Sequence, residues 1–196
     1  MKIIFATTNL HKLKEVRQIF GFTPKELPGL QDFPLIDEIP ETGKSFVENA
    51  IIKAKAVYSI LKLPVIADDS GIEVDHLQGE PGIYSARYAG VNATDNDNNK
   101  KVIENLKPFN PPYNARYVCA AVYFNGTDLI TTEGYCNGEI IKEQRGNNGF
   151  GYDPHFIPVG YNITMAELPV EVKNKISHRF SAFSKLKELL NEKIDL

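Results

Sequence analysis

Two adjacent acids, Asp68 and Asp69, follow the apolar run Val65-Ile66-Ala67 and precede Ser70-Gly71. The carboxyl end of a strand is where α/β sheets build their sites, and neighbouring residues leave a strand on opposite faces, so the two acids have different jobs. One can hold a divalent cation or accept a proton from water while the other anchors the turn; taken alone, the quartet also reads as a solvated Asp-Ser-Gly turn. Glu48 is accounted for by helix capping in Ser45-Phe46-Val47-Glu48, whereas Glu41, on a Pro-Glu-Thr-Gly loop, has no such local explanation. Glu41 and Asp69, brought together with several waters, would suit Mg2+.

Cations at the right places would complete phosphate chemistry. At about 100° per residue, Phe46, Ala50, Ala54, Val57 and Leu61 form one narrow apolar stripe, and Lys53 falls at its edge, one turn after Asn49. A lysine beside a core face either snorkels to water or meets an anion. Thr7-Thr8-Asn9-Leu10-His11-Lys12 joins a short strand to a helix whose first amides could cradle an anion, with Lys12 in the first turn; it lacks the Walker glycines. Gly149-Phe150-Gly151-Tyr152-Asp153-Pro154 either presents a ring for stacking on a base or forms a turn with its aromatics in the core. Ser177-His178-Arg179 opens the last helix with positive groups against the helix dipole, which hints at a ligand unless the first turn simply faces solvent.

Other chemistries are excluded. The four histidines have no ligand spacing, and Cys119 and Cys136 are too few for a disulfide framework or a thiolate metal site, so they read as two buried thiols. Asp95-Asn96-Asp97-Asn98-Asn99 opens like a calcium loop but lacks its glycine and its bidentate glutamate. A net charge of −3 argues against a surface that tracks long nucleic acid. No apolar run approaches the ~20 residues of a membrane span, and the start carries no signal-peptide core, so the expected address is cytoplasmic.

The elements that must position these residues follow from periodicity. Ile3–Phe5 reads as a strand, followed by a helix with Leu13, Val16, Ile19 and Phe20 in register; Thr23 to Pro40 is loop with room for one strand. A capped helix runs from Ser45 to Leu61, a strand spans Val65-Ile66-Ala67, and a helix is expected from Asn99 to Leu106. Tyr117–Phe124 and Leu129–Tyr135 flank Asn125-Gly126 as a hairpin. Gly134 to Gly151 reads as turns or functional loops, and an amphipathic helix with Phe183, Leu186 and Leu190 closes the chain. Together these predict an α/β domain on a mixed sheet with flanking helices.

In chain order, Thr7 to Lys12, Glu41 to Ala50 with Lys53, Asp68 to Gly71, Pro81 to Gly90, Gly149 to Pro154 and Ser177 to Arg179 resemble the inosine triphosphate pyrophosphatase family. These are house-cleaning enzymes for deaminated purine nucleotides. The resemblance spans nearly the whole chain and implies one domain over residues 1–196, elongated, with two lobes around a nucleotide-binding cleft, working as a Mg2+-dependent homodimer. It implies Asp69 as proton acceptor and metal ligand, with Glu41 as the second acid near the metal. Thr7, Thr8, Asn9, Leu10, His11, Lys12 and Lys53 would hold the triphosphate, and Ser70 would touch the substrate. Phe150, Gly151, Tyr152, Asp153, Lys173, His178 and Arg179 would hold the base and nucleotide. His11, where the family often has glycine, and Phe180, where smaller or basic residues are common, depart from the pattern.

The implied reaction is hydrolysis of ITP, dITP or XTP between the α and β phosphates, giving the monophosphate and pyrophosphate. Two other readings stand beside it: a pyrophosphatase for other altered nucleotides, and a nucleotide-binding module without catalysis.

Overall fold

The structure is a computed structural model and describes residues 2–34, 36–37 and 39–194. Ile4–Phe5 forms β1, and Leu10–Phe20 forms α1, whose N-cap Asn9 accepts the amides of His11 at 2.9 Å and Lys12 at 3.2 Å. Gly21 ends α1 with φ +75°, a conformation that favours glycine. Among the described residues of the stretch that follows, Leu30–Asp32 forms a 3-10 turn and no strand or α-helix occurs before α2. Phe46–Leu61 forms α2 behind an Ser45 cap, and here the carboxylate of Glu48 accepts the amide of Lys44, one residue upstream of a reciprocal capping box. Phe46, Ala50, Ala54 and Val57 are buried as the stripe requires.

β2 spans Val65–Val74 and runs straight through Asp68-Asp69-Ser70-Gly71, which is therefore no turn. A strand can carry two carboxylates through a buried stretch only where partners answer them, and those partners come from distant helices. α3, Asp95–Asn105, starts earlier than the expected Asn99 because Thr94 and Asp97 form a reciprocal capping box. β3 (Tyr113–Phe124) and β4 (Leu129–Ile140) form the expected hairpin arms, with β4 reaching past the predicted end at Tyr135. Gly134 and Gly138 thus lie in a strand, where a neighbouring backbone replaces their side chains: a Cβ on Gly138 would sit 2.2 Å from the Ile157 carbonyl. β5 is Phe156–Pro158; α4, Val170–Ile176, is a helix the periodicity did not announce; and α5 is His178–Ile194.

The sheet order is β1-β2-β3-β4-β5, with β1 parallel to β2 and β5 antiparallel to β4, a mixed α/β sheet. The chain forms two compact units. The first comprises residues 1–69, 119–134 and 178–196; Phe5, Ile66, Cys119 and Tyr123 pack with Leu13 and Val16 of α1 and with Phe183 and Leu186 of α5. The second comprises residues 70–118 and 135–177; its core holds Ile72, Val102, Leu106, Tyr117, Cys136, Ile140, Tyr152 and Phe156. Both cysteines are free and buried. No described helix is long and apolar enough to cross a membrane.

Within the first unit α5 lies directly on β4 at Gly134, where an added Cβ would meet the His178 carbonyl at 2.2 Å and the Ala182 nitrogen at 2.3 Å. Backbone cannot yield as a side chain can. Gly134→Ala is expected to destabilise the protein by about 3 kcal/mol, read by urea denaturation; an unchanged midpoint would show that α5 has room to move.

Candidate active site

In the first unit the side chains of β2 alternate between faces. Ile66 and Asp68 point to the side of α1 and α5, and Asp69 to the side of α2. Asp68, 1% exposed, lies 3.0 Å from the Lys12 ammonium and 3.5 Å from Nε of Arg179, and Arg179 in turn donates to Glu15 at 2.6 Å. Burial pushes the Asp68 carboxyl up, but Lys12, Arg179 and Lys53 outweigh it and hold its pKa at about 2. The thiol of Cys119 sits 4.0 Å from Asp68, and burial together with that carboxylate raises its pKa far out of the reactive range.

Asp69 accepts from the Asn49 carboxamide at 2.9 Å and lies 3.8 Å from the Lys53 ammonium, which bonds Glu41 at 2.7 Å. Glu41 and Asp69 therefore converge on one cationic position. Asn49 also ties down the loop just before α2, its oxygen accepting the Gly43 amide at 2.8 Å. Burial raises the pKa of Asp69, Glu41 adds to the rise, and Lys53 and Asn49 counter it only in part, so the net shift is upward. Burial opposes the charge on Lys53, yet Asp68, Asp69 and Glu41 prevail and its pKa lies above that of a free lysine. Of the two fates open to Lys53, the structure chooses the anion: its side chain is 13% exposed.

Other expected residues of this unit are placed differently. The amides of His11 and Lys12 are taken by the Asn9 cap and that of Asn9 by the Thr7 hydroxyl at 3.1 Å, so the cradle is internally bonded; Thr8, Leu10 and His11 are exposed. Arg179 is 2% exposed, and its charge at the start of α5 is answered by Glu15 and Asp68 within the protein rather than by solvent. His178 and Phe180 are half-buried.

In the second unit, Ser70 is half-buried and the loop Gly149 to Pro154 divides its two rings. Tyr152 is buried, with its hydroxyl on the Ser85 carbonyl at 2.7 Å, so that side chain belongs to the core. Phe150 stays partly open, with the Lys173 ammonium 4.9 Å from its ring centroid. Asp153, buried, pairs with that ammonium and accepts the Phe150 amide at 2.9 Å. Gly151 is gripped by α3: its amide donates to Asp95 at 2.7 Å and its carbonyl accepts from Asn99 at 2.9 Å.

Residues 3–189 match the Ham1 family. The chain belongs to that family. It is 46% identical to the dITP/XTP pyrophosphatase of Listeria monocytogenes serovar 1/2a over 99% of this chain and 97% of that one, and 47% identical to the dITP/XTP pyrophosphatase of Bacillus subtilis strain 168 over 95% and 96%. A Ham1 protein from Coxiella burnetii superposes with a TM-score of 0.89 at 39% identity, covering 98% of this chain and 99% of that one. The Staphylococcus aureus Ham1 protein gives 0.88 at 38%, covering 98% and 100%.

Two residues outside the roles expected from the sequence hold this site in place. Asn49, inside the motif from Glu41 to Ala50 but given no role there, orients Asp69, and Glu15 bonds an arginine 164 positions away, a pairing that nothing local marks. The donor set at Glu41 and Asp69 fits a hard cation: two carboxylates already share one positive charge, the number Mg2+ commonly takes from protein. Among the described residues no cluster of three or more His, Cys, Asp or Glu side chains offers an all-protein cage.

Because the pKa of Asp68 is lowered on folding, its charge stabilises the native state above the ordinary carboxylate range, and this is lost as pH falls from about 4 toward 2. Wild type is expected to lose about 2 kcal/mol of stability across that window that Asp68→Asn does not lose, measured by urea denaturation at stepped pH. Parallel curves for the two proteins would show that Asp68 is not held as an anion.

Proposed function

We propose that this chain is a nucleoside triphosphate pyrophosphatase acting on deaminated purine nucleotides (dITP, ITP and XTP), releasing the monophosphate and pyrophosphate. The observation that carries the reading is the meeting of Glu41, Lys53 and Asp69, which joins two acids and a cation from separate segments in one cluster. The dITP/XTP activity named for relatives at this identity supports the substrate class.

Hydrolysis of a phosphoanhydride needs an aligned water, compensated phosphate oxygens and a place for the proton. Glu41 and Asp69 would hold Mg2+, which when bound supplies charge compensation at phosphate oxygens. Asp69, its pKa raised by burial, orients the water and accepts its proton. Asn49 fixes which way that carboxylate faces. Lys12 and Lys53 add positive charge for the triphosphate, with Thr7 to His11 along its path. Asp68 supports this by holding Lys12 in place rather than by reacting.

For the base, Phe150 offers a ring and Lys173 an ammonium. An ammonium has three protons, and Asp153 takes one, leaving donors for the 6-oxo group of hypoxanthine or xanthine. Arg179, assigned to the base by resemblance, is almost fully buried and pairs with Glu15 and Asp68, whereas the Lys173 side chain is more open; Ser70, Gly151 and His178 complete the substrate contacts the resemblance implies. Adenine's 6-amino group would face donor against donor, a mismatch on the order of 10⁴-fold in selectivity. The resemblance also carries a homodimer in the cytoplasm.

With Mg2+, dITP and XTP are expected to turn over at least 100-fold faster than dATP, with pyrophosphate as the product; orthophosphate would refute the cleavage position. Activity on other altered bases alone would favour the second pyrophosphatase reading. Asp69→Asn is expected to keep nucleotide affinity in calorimetry while kcat falls at least about 100-fold. A wild type that binds dITP but never hydrolyses it would leave only a binding module.

A further inference from the structure

We propose that Tyr117 is a positioning residue for base binding: its hydroxyl fixes Asp153, and Asp153 fixes both the Lys173 ammonium and the Phe150 amide. This rests on the pyrophosphatase reading above and adds to it a residue outside every motif singled out in the sequence.

Tyr117 lies on β3, in the core of the second unit, with its ring 4.7 Å from that of Phe156. Its hydroxyl donates to Oδ1 of Asp153 at 3.2 Å. The other oxygen, Oδ2, receives the Phe150 amide at 2.9 Å and the ammonium of Lys173. One buried carboxylate thus organises a strand, a loop and α4. A carboxylate with partners on one oxygen only can pivot about its Cβ–Cγ bond; a donor on the second oxygen, anchored in a strand, stops that pivot. The ammonium in turn sits over the Phe150 ring, so the orientation of Asp153 reaches the surface on which a base would stack.

The packing leaves little slack. Gly149, φ +83°, lays its backbone on this ion pair: a Cβ there would fall 2.1 Å from Oδ2 of Asp153 and 2.7 Å from Nζ of Lys173. Burial raises the pKa of Tyr117 well above that of a free tyrosine, and Asp153 raises it further, so the hydroxyl stays a neutral donor. Burial also raises the Asp153 carboxyl, with Lys173, the Phe150 amide and Tyr117 opposing. The other titratable groups that act on Tyr117 include the Tyr152 phenol on the loop and the Cys136 thiol on β4, the latter pushed up to about 11 and therefore neutral. Deleting the Tyr117 hydroxyl removes one group that favours the ionised carboxylate. Asp153 then takes up a proton at higher pH and releases Lys173 sooner on the acid side.

The test compares wild type with Tyr117→Phe on dITP across pH about 6 to 9. The expected result is a KM raised about five-fold, most at the acid end, with kcat within about two-fold. In a Lys173→Met background the same substitution should leave KM unmoved, because the path runs through that ammonium. Asp153→Asn should raise KM and flatten its pH dependence. An unchanged KM, a fall in kcat alone, or a full effect in the Lys173→Met background overturns the proposal. If wild type does not hydrolyse dITP, the pyrophosphatase reading fails by itself, and the amide proton resonance of Phe150 decides instead. That resonance is expected to shift in Tyr117→Phe; a stationary one overturns the positioning role.

Discussion

A carboxylate buried in a strand has to be answered, and the answer to Asp68 organises the first unit. At 1% exposure an unpartnered anion would be intolerable, and removing one partner of a buried pair typically costs about 3–5 kcal/mol. Lys12 brings the start of α1 to β2, and Arg179 brings the start of α5 to the same carboxylate. Apolar packing presses these helices onto the sheet, as Phe183 does against Phe5 in an edge-on contact at 5.7 Å, but apolar packing is indifferent to small rotations. The ion pairs carry direction, and they tie Lys12 and Arg179 to one carboxylate.

The neighbouring acid shows what environment does to identical chemistry. Asp68 and Asp69 are consecutive, both buried, and their pKa values move in opposite directions, one held at about 2 and the other raised. The strand's two-residue period supplies the cause, since one side chain meets two cations of α1 and α5 and the other meets Asn49, Glu41 and a lysine that Glu41 shares. The split follows from compensation alone: two close cations outweigh burial at Asp68 and keep it an anion, whereas burial outweighs the partners of Asp69.

Local periodicity carried most of the fold. The stripes of α2 and α5, the Asn125-Gly126 hairpin and the Asn9 and Ser45 caps are short-range signals and appear where the residues place them. What stayed illegible was long-range. Asp68-Asp69-Ser70-Gly71 has the composition of a turn and becomes mid-strand because its partners come from residues 12, 49, 53 and 179. Gly134 and Gly138 resemble loop punctuation and are instead places where another backbone fills the space of a side chain. The candidate site divides the same way: Asp69, Glu41 and Lys53 stood out by residue type and now lie together, while Glu15 and Tyr117, which bond Arg179 and Asp153, have no local signature.

The same logic, applied to the second unit, separates what stabilises from what aligns. A buried pair such as Asp153 and Lys173 is poor value as stabilisation, because well-packed apolar residues of similar volume often do as well or better. An apolar replacement would nevertheless leave Phe150 without the amide acceptor beneath it and without the cation above its ring. Retaining a costly pair in a core otherwise built from Tyr117, Phe156 and Ile140 makes sense where a direction has to be specified. Hydrogen bonds and ion pairs carry direction; dispersion does not. In each unit a buried aspartate costs stability and fixes a lysine: Asp68 holds Lys12 in one, and Asp153 holds Lys173 over an aromatic ring in the other.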